Sequence, residues 1–257
     1  MKILVFSVRR LIIFLLFAAA AVLIISAVGI RGMSVAGVFS NSRELPIYSV
    51  EVPGKTASVT FDCAWGADDI PEILSTLKEA GIKATFFIVG QWAEKYPETV
   101  RSIAQEGHDI ANHSYSHLRM GSVDNSRIVS EIKKCGDLLE ELSGEKCELF
   151  RAPYGDYNNH VILEARKLGY FTIQWSVDSL DWKPGISKAE IVRRVKSKIT
   201  PGSIILFHND TPHTAKLLPD IISTLKDDGY NFLPVSEMIL RENYKIDHEG
   251  KQVKESK

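Results

Sequence analysis

Between residues 57 and 234, short runs rich in β-branched and aromatic residues alternate with longer amphipathic stretches, and this alternation limits the fold more than any other feature. Segments 57–61, 84–89, 109–112, 148–150, 170–177, 203–207 and 231–234 read as strands, each followed by a helical stretch. Such βα units require a parallel sheet with right-handed crossovers, either closed into a barrel or left open and doubly wound. The helix punctuation agrees. Asp69 can cap the first helix, which stops at Gly81; Asp124 precedes Ile128, Ile132, Cys135, Leu139 and Leu142 at helical spacing; Ser187 and Glu190 form a capping box.

The polar residues choose between the two architectures. Asp62, His113, Arg151, Asp178 with Asp181, and His208 all fall at or just beyond the C-terminal end of a strand, the face on which (β/α) barrels build their sites. An open sheet would gather its functional loops at one switch point instead. An α/β barrel is therefore expected over residues 48–241, with a short strand at 48–52 hairpinned through Pro53-Gly54 as an appendage. Residues 242–257 are charged and without period, which reads as a disordered tail.

The N-terminus differs in kind. Lys2, Arg9 and Arg10 precede an apolar stretch over 11–30, long enough for a helix to cross a bilayer. A cleaved signal peptide is the alternative, but its apolar core is usually about 7–15 residues and no clear Ala-x-Ala site follows the run. A buried core helix would need polar positions at helical spacing. The expected order is a cytoplasmic basic segment (1–10), an uncleaved transmembrane anchor (11–30), a juxtamembrane spacer (31–47) and an extracytoplasmic domain.

With 31 basic and 32 acidic residues the formal charge is −1, so no global field favours nucleic acid, and a polyanionic substrate is not indicated. Cys63, Cys135 and Cys147 match neither a CxxC knuckle nor a disulfide framework; Cys135 and Cys147 can pair outside the cell or stay as buried thiols.

Several residues can carry chemistry. His113 and His117 stand four positions apart, a spacing that on a helical turn puts both imidazoles on one face where a divalent metal can take them. Zinc is the first choice beside a carboxylate or thiolate; cobalt, manganese or iron also fit. Asp62 ends a strand and is placed as a general base, with Asp68 and Asp69 better positioned to cap the next helix. Arg151 can clamp that carboxylate. His208 can protonate a leaving group if Asp181 or Asp178 raises its pKa. Gly54-Lys55-Thr56 lacks the first glycine of a phosphate loop, and no Gly-x-Ser-x-Gly elbow exists. Trp65, Trp92, Trp175 and Trp182 suit core or rim packing, although two or more on one barrel face would suit a pyranose ring.

Taken together, these residues resemble the polysaccharide deacetylases, the NodB-homology domain of carbohydrate esterase family four. Thr60-Phe61-Asp62 resembles the first family motif, His113-x-x-x-His117 the second, Arg151-x-Pro153-x-Gly155 the third, Asp178-x-x-Asp181-Trp182 the fourth and Leu206-x-His208 the fifth. Within the family, residues 61–66 most resemble the membrane-anchored sporulation-type enzymes. The resemblance implies a distorted (β/α)7 barrel that removes N-acetyl groups from N-acetylglucosamine units of peptidoglycan or a chitin-like glycan, with an acetylated cell-wall glycan as partner. By position it implies Asp62 as base, His208 as acid, Arg151 orienting Asp62, and Asp181 tuning His208. It also implies His113 and His117 as metal ligands, Trp182 and Leu206 bordering the acetyl pocket, and the Tyr154 backbone N–H binding the oxyanion.

Two positions depart from the pattern. Ala152 replaces a common proline, and Cys63 stands where the family's third metal ligand, an aspartate, is expected. A Cys63 thiolate can fill that role, Asp68 or Asp69 can swing in from the following loop, or the site keeps two histidines and waters. The same departure also permits a catalytically silent glycan-binding or scaffold protein.

Overall fold

A computed structural model describes residues 43–255. The expected anchor at 11–30 and most of the spacer lie outside the described residues; within them no helix is long and apolar enough to cross a membrane.

Eight strands make one parallel sheet, each expected segment supplying at least one. They are β2 (Thr56–Cys63), β3 (Thr85–Ile88), β4 (Asp109–Asn112), β5 (Leu149–Phe150), β6 (Phe171–Thr172), β7 (Val177–Asp178), β8 (Ile204–His208) and β9 (Asn231–Phe232). The order is β6-β5-β4-β3-β2-β8-β7, with β9 paired to the start of β2. Segment 170–177, expected as one strand, is broken in the middle: β6 pairs with β5 at one edge and β7 pairs with β8 at the other. Four residues join β6 to β7, and a chain that short reaches only about 3.3–3.6 Å per residue. The two edges are therefore close, and the sheet must curl. Between them Ile173 bridges to Ile47, while Gln174 N–H donates to the Ile47 carbonyl.

Helices follow the strands as the pattern requires: α1 (Ile70–Glu79), α2 (Gly90–Lys95), α3 (Pro97–Gln105), α4 (Asn125–Ser143), α5 (Asn159–Lys167), α6 (Lys188–Lys198), α7 (Thr214–Asp227) and the short α8 (Val235–Met238). Asp124 caps α4 by accepting from Arg127 N–H, and Ser187 caps α6 by accepting from Glu190 N–H. Asp69 precedes α1 without capping it. Its carboxylate turns away and accepts the Asp210 N–H at 2.9 Å, tying the first βα loop to the loop after β8.

Strand alternation splits β2 cleanly. Ala57, Val59, Phe61 and Cys63 join the apolar layer shared by the sheet and its helices. Ser58, Thr60 and Asp62 therefore occupy the opposite, concave face.

The ends of the domain differ from expectation. The tail is ordered: β10 (Tyr244–Ile246) and β11 (Lys251–Lys254) form an antiparallel hairpin, and β1 (Ser49–Val50) adds to it in parallel with β11 instead of folding back on β2. Asp247 accepts the Glu249 and Lys251 N–H groups, and Gly250 takes φ 81° to close the turn. Gln252 is fully buried and bonds both polar groups of Leu240. Charge count obscured a strand whose one inward polar group is satisfied. The compact unit accordingly starts at Glu44, four residues before the expected boundary.

Candidate active site

Asp62, one residue before the end of β2, sits in register with His208 at the end of β8. Neighbouring residues of parallel strands point to one face, so the carboxylate and the imidazole share the C-terminal rim. Arg151, just past β5, is fully buried and reaches Asp62 Oδ1 at 2.6 Å; it also donates to Thr60 Oγ1 at 3.0 Å and to the Gln174 carbonyl at 3.1 Å. Its guanidinium lies 3.8 Å over the Phe87 ring. Burial pushes the Asp62 pKa up, but the charges of Arg151, His113 and His208 outweigh it, and the carboxyl ends below its ordinary range. Asp62 is ionised at neutral pH.

Asp181 treats His208 in the opposite sense. Its Oδ1 lies 2.8 Å from His208 Nδ1, while Oδ2 accepts the His208 backbone N–H at 2.8 Å and the Thr214 hydroxyl at 2.6 Å. Burial favours neutral imidazole, but the hydrogen bond and charge of Asp181, with Asp62 and Asp178 behind it, prevail and raise the His208 pKa. The rim thus carries a carboxylate whose ionised form is favoured beside an imidazole whose protonated form is favoured, the division of labour needed for base and acid.

The two remaining imidazoles meet through a loop, not a helical turn. Ser114 and His117 adopt positive φ of 61° and 55°, folding the loop so that the His113 and His117 rings lie 5.1 Å apart. His113 Nδ1 lies 2.8 Å from the Arg151 carbonyl. A carbonyl only accepts, so Nδ1 carries the proton and Nε2 keeps its lone pair. That lone pair faces Asp62 Oδ2 at 3.4 Å, an acceptor opposed to an acceptor, which a nearby cation would relieve. Burial lowers the His113 pKa, and burial with the His113 charge takes His117 to about 4. Both rings are neutral at pH 7, the form that binds metal.

The imidazoles therefore fit a divalent ion at two points, and neither Cys63 nor the loop aspartates supply a third. The Cys63 thiol is fully buried in the apolar layer, and burial with the nearby Asp62 and Asp69 charges pushes its pKa far above the ordinary value. Asp69 is committed to Asp210, and Asp68 is exposed. Among the described residues, no group of three His, Cys, Asp or Glu is placed to hold an ion.

Tyr154 takes φ 61° in a single 3-10 turn after Arg151, and its hydroxyl lies 3.1 Å from His117 Nδ1. Leu206 is buried on β8 and Trp182 is exposed beside Asp181. Five of the six non-glycine residues with positive φ among the described residues (Ser114, His117, Tyr154, Leu180 and Asp210) lie on these rim loops. Such strain concentrates where a site dictates backbone shape.

Two supporting residues escaped the sequence reading. Thr214, at the start of α7, donates to Asp181. Glu131 is a buried carboxylate on α4 that accepts the Ser116 N–H at 2.6 Å and its hydroxyl at 3.0 Å, so it grips the histidine loop from beneath. A signal for Glu131 was present: an acid sits among Ile128, Ile132 and Cys135, on the inward stripe of an amphipathic helix.

A curled parallel α/β sheet with paired acid–base groups on its C-terminal rim is the site of a hydrolase class. Residues 49–173 match the family model described as polysaccharide deacetylase. A peptidoglycan-N-acetylglucosamine deacetylase of Bacillus cereus is 37% identical over 198 residues, 74% of this chain and 71% of that protein. Among solved structures, a family 4 carbohydrate esterase of Bacillus subtilis superposes with TM-score 0.71 at 28% identity, covering 75% of this chain and 84% of that one. A family 4 pseudoenzyme from Bacillus anthracis superposes with TM-score 0.72 at 32% identity over 75% and 68% of the two chains. The chain belongs to the polysaccharide deacetylase family.

Proposed function

We propose that the chain is a peptidoglycan N-deacetylase that hydrolyses the acetamide of an N-acetylated amino sugar. One observation carries the proposal: an Arg151-clamped, ionised Asp62 and an Asp181-held His208 face each other from adjacent strands. A protein that only binds glycan has no use for two oppositely tuned titratable groups.

In this reading Asp62 takes a proton from the attacking water, and His208 delivers one to the departing amine nitrogen. The Tyr154 N–H would hold the developing oxyanion, a contribution of about 3–4 kcal/mol for a well-placed donor. Leu206 and Trp182 would enclose the acetyl methyl. A divalent ion at His113 and His117, with zinc as our choice over cobalt, manganese or iron, would supply Lewis-acid polarisation of the carbonyl and a more acidic water. The curled sheet is read as the family's distorted seven-unit barrel. Residues 11–30 are read as a membrane anchor with the domain outside the cytoplasm, which suits a wall substrate and the sporulation-type resemblance.

A second reading has support of its own. Cys63 withholds the third ligand, and a relative of similar fold is described as a pseudoenzyme. The chain would then be a silent glycan-binding protein. Acetate release from N-acetylated peptidoglycan separates the two: wild type should release it and Asp62→Asn should not. Equal release by both, or none by wild type supplied with zinc or cobalt, refutes the enzyme reading.

A further inference from the structure

Among the described residues four large apolar side chains are exposed, and three of them are aromatic residues at the rim: Trp65, Tyr154 and Trp182. Soluble domains rarely cluster exposed aromatics without something to cover them. Trp182 and Tyr154 already have roles in the site, whereas Trp65 has none. It is 56% exposed on the loop that leaves Asp62, and its indole meets His117 edge-on at 5.6 Å. On the other side of His117 lies the Tyr154 ring at 4.6 Å. Trp65, His117 and Tyr154 thus form a contiguous aromatic cluster beside the reacting groups, with neighbouring rings tilted by 69° and 59°.

The backbone beneath Trp65 is anchored unusually firmly for a rim loop. Gly66 N–H donates to Asp210 Oδ2 at 2.9 Å, and the Gly66 carbonyl accepts from Trp92 Nε1 at 2.8 Å and Asn209 Nδ2 at 2.5 Å. A Cβ at Gly66 would come within 2.7 Å of the Asp210 carboxylate, which would have to shift away from the Gly66 N–H it now accepts. An exposed indole on a backbone fixed from three directions is pre-organised, and little ordering cost remains when a ligand covers it. The Arg119 guanidinium lies 4.7 Å over the Tyr154 ring, which leaves the exposed Trp65 indole as the surface that suits the C–H face of a pyranose.

We infer that Trp65 is the stacking platform for the sugar unit next to the one that reacts, making the protein selective for glycan chains over single sugars. This inference rests on the deacetylase reading for the position of the reacting sugar, but it concerns binding alone. It can therefore be tested without turnover.

Isothermal titration of Asp62→Asn with N-acetylglucosamine and with its β-1,4 tetramer provides the test, repeated with Trp65→Ala or Trp65→Phe added. Because the indole is exposed, both variants should fold; thermal melting checks this. Trp65→Ala should weaken tetramer binding by roughly tenfold, the equivalent of about 1.4 kcal/mol, and leave the monosaccharide affinity unchanged. Trp65→Phe should restore most of the loss. Equal tetramer affinity with and without Trp65, equal losses for monomer and tetramer, or no tetramer binding at millimolar concentration would each overturn the inference. Trp65-dependent tetramer binding in a protein whose wild type releases no acetate would leave the inference standing and remove the enzyme reading.

Discussion

Asp181 holds His208 at two points, with one carboxylate oxygen 2.8 Å from the ring Nδ1 and the other accepting the His208 backbone N–H at 2.8 Å. The double contact fixes both the orientation of the ring and its charge. Because the His208 pKa lies above its ordinary value of 6.5, the protonated acid persists past that pH and is lost as pH rises through the raised pKa. Asp181→Asn keeps the size and removes the charge. The alkaline limb of kcat/KM should then move to lower pH, so the variant loses more activity near pH 8 than near pH 6. An alkaline limb that stays in place would show that His208 is not the acid Asp181 tunes.

The Asp62–Arg151 pair makes a different prediction, about stability. Both side chains are buried, and Arg151→Met leaves the carboxylate without its countercharge. We expect a loss of about 3–5 kcal/mol in chemical denaturation, typical of breaking a buried pair from one side. The double variant Asp62→Asn/Arg151→Met should recover part of that loss, because the orphaned charge is gone as well. The sign with pH follows from the depressed Asp62 pKa. Its stabilisation is present above the ordinary carboxyl value of 3.8 and is lost as pH falls through the folded value, and this acid-side loss should disappear in the double variant. Strictly additive effects would mean the pair is not coupled.

Cys63 faces the helices and not the rim, which separates two outcomes for metal binding. Cys63→Ala should leave zinc content, measured by elemental mass spectrometry after dialysis, within about twofold of wild type, since the thiol is not a donor. Cys63→Asp, which restores the residue the family motif expects, should cost on the order of 1–3 kcal/mol where its carboxyl stays in the apolar layer. A tenfold loss of zinc in Cys63→Ala would make the thiolate a ligand after all.

How much of this was legible in the sequence depended on the range of the interactions involved. Asp62, Arg151, Asp181 and His208 could be placed because strand ends are local features and βα order fixes which rim they share. The broken 170–177 strand could not, because its halves answer to different partners, β5 and β8, at opposite sheet edges. Asp69 reads as a helix cap from its neighbours, yet a backbone N–H 141 residues away takes its carboxylate. The strands of the tail are hidden for a similar reason. Most of its charges are exposed, while the residue that docks it, Gln252, is polar and finds both its partners on Leu240. The histidine spacing is legible, but its geometry comes from left-handed residues that no helical template contains.

Glu131 offers the last test, because it touches neither imidazole and yet shapes the loop that carries both. Its carboxylate accepts from Ser116 N–H and hydroxyl and is paired with Arg127 at 2.7 Å. Ser116 lies between His113 and His117, so losing the acceptor frees the segment that holds His117 at positive φ. Outer groups that orient ligands typically account for about 10–100-fold in metal affinity. Glu131→Ala should therefore weaken zinc binding in a competitive chelator titration by at least tenfold. Glu131→Gln, which still offers one carbonyl oxygen, should recover part of the loss. Melting temperature alone cannot make the distinction, since burying an unsatisfied N–H also costs about 1–3 kcal/mol. What identifies a positioning role is the order of zinc affinities, wild type above Gln above Ala. If Glu131→Ala binds zinc as tightly as wild type, the histidine loop holds its shape without help from α4.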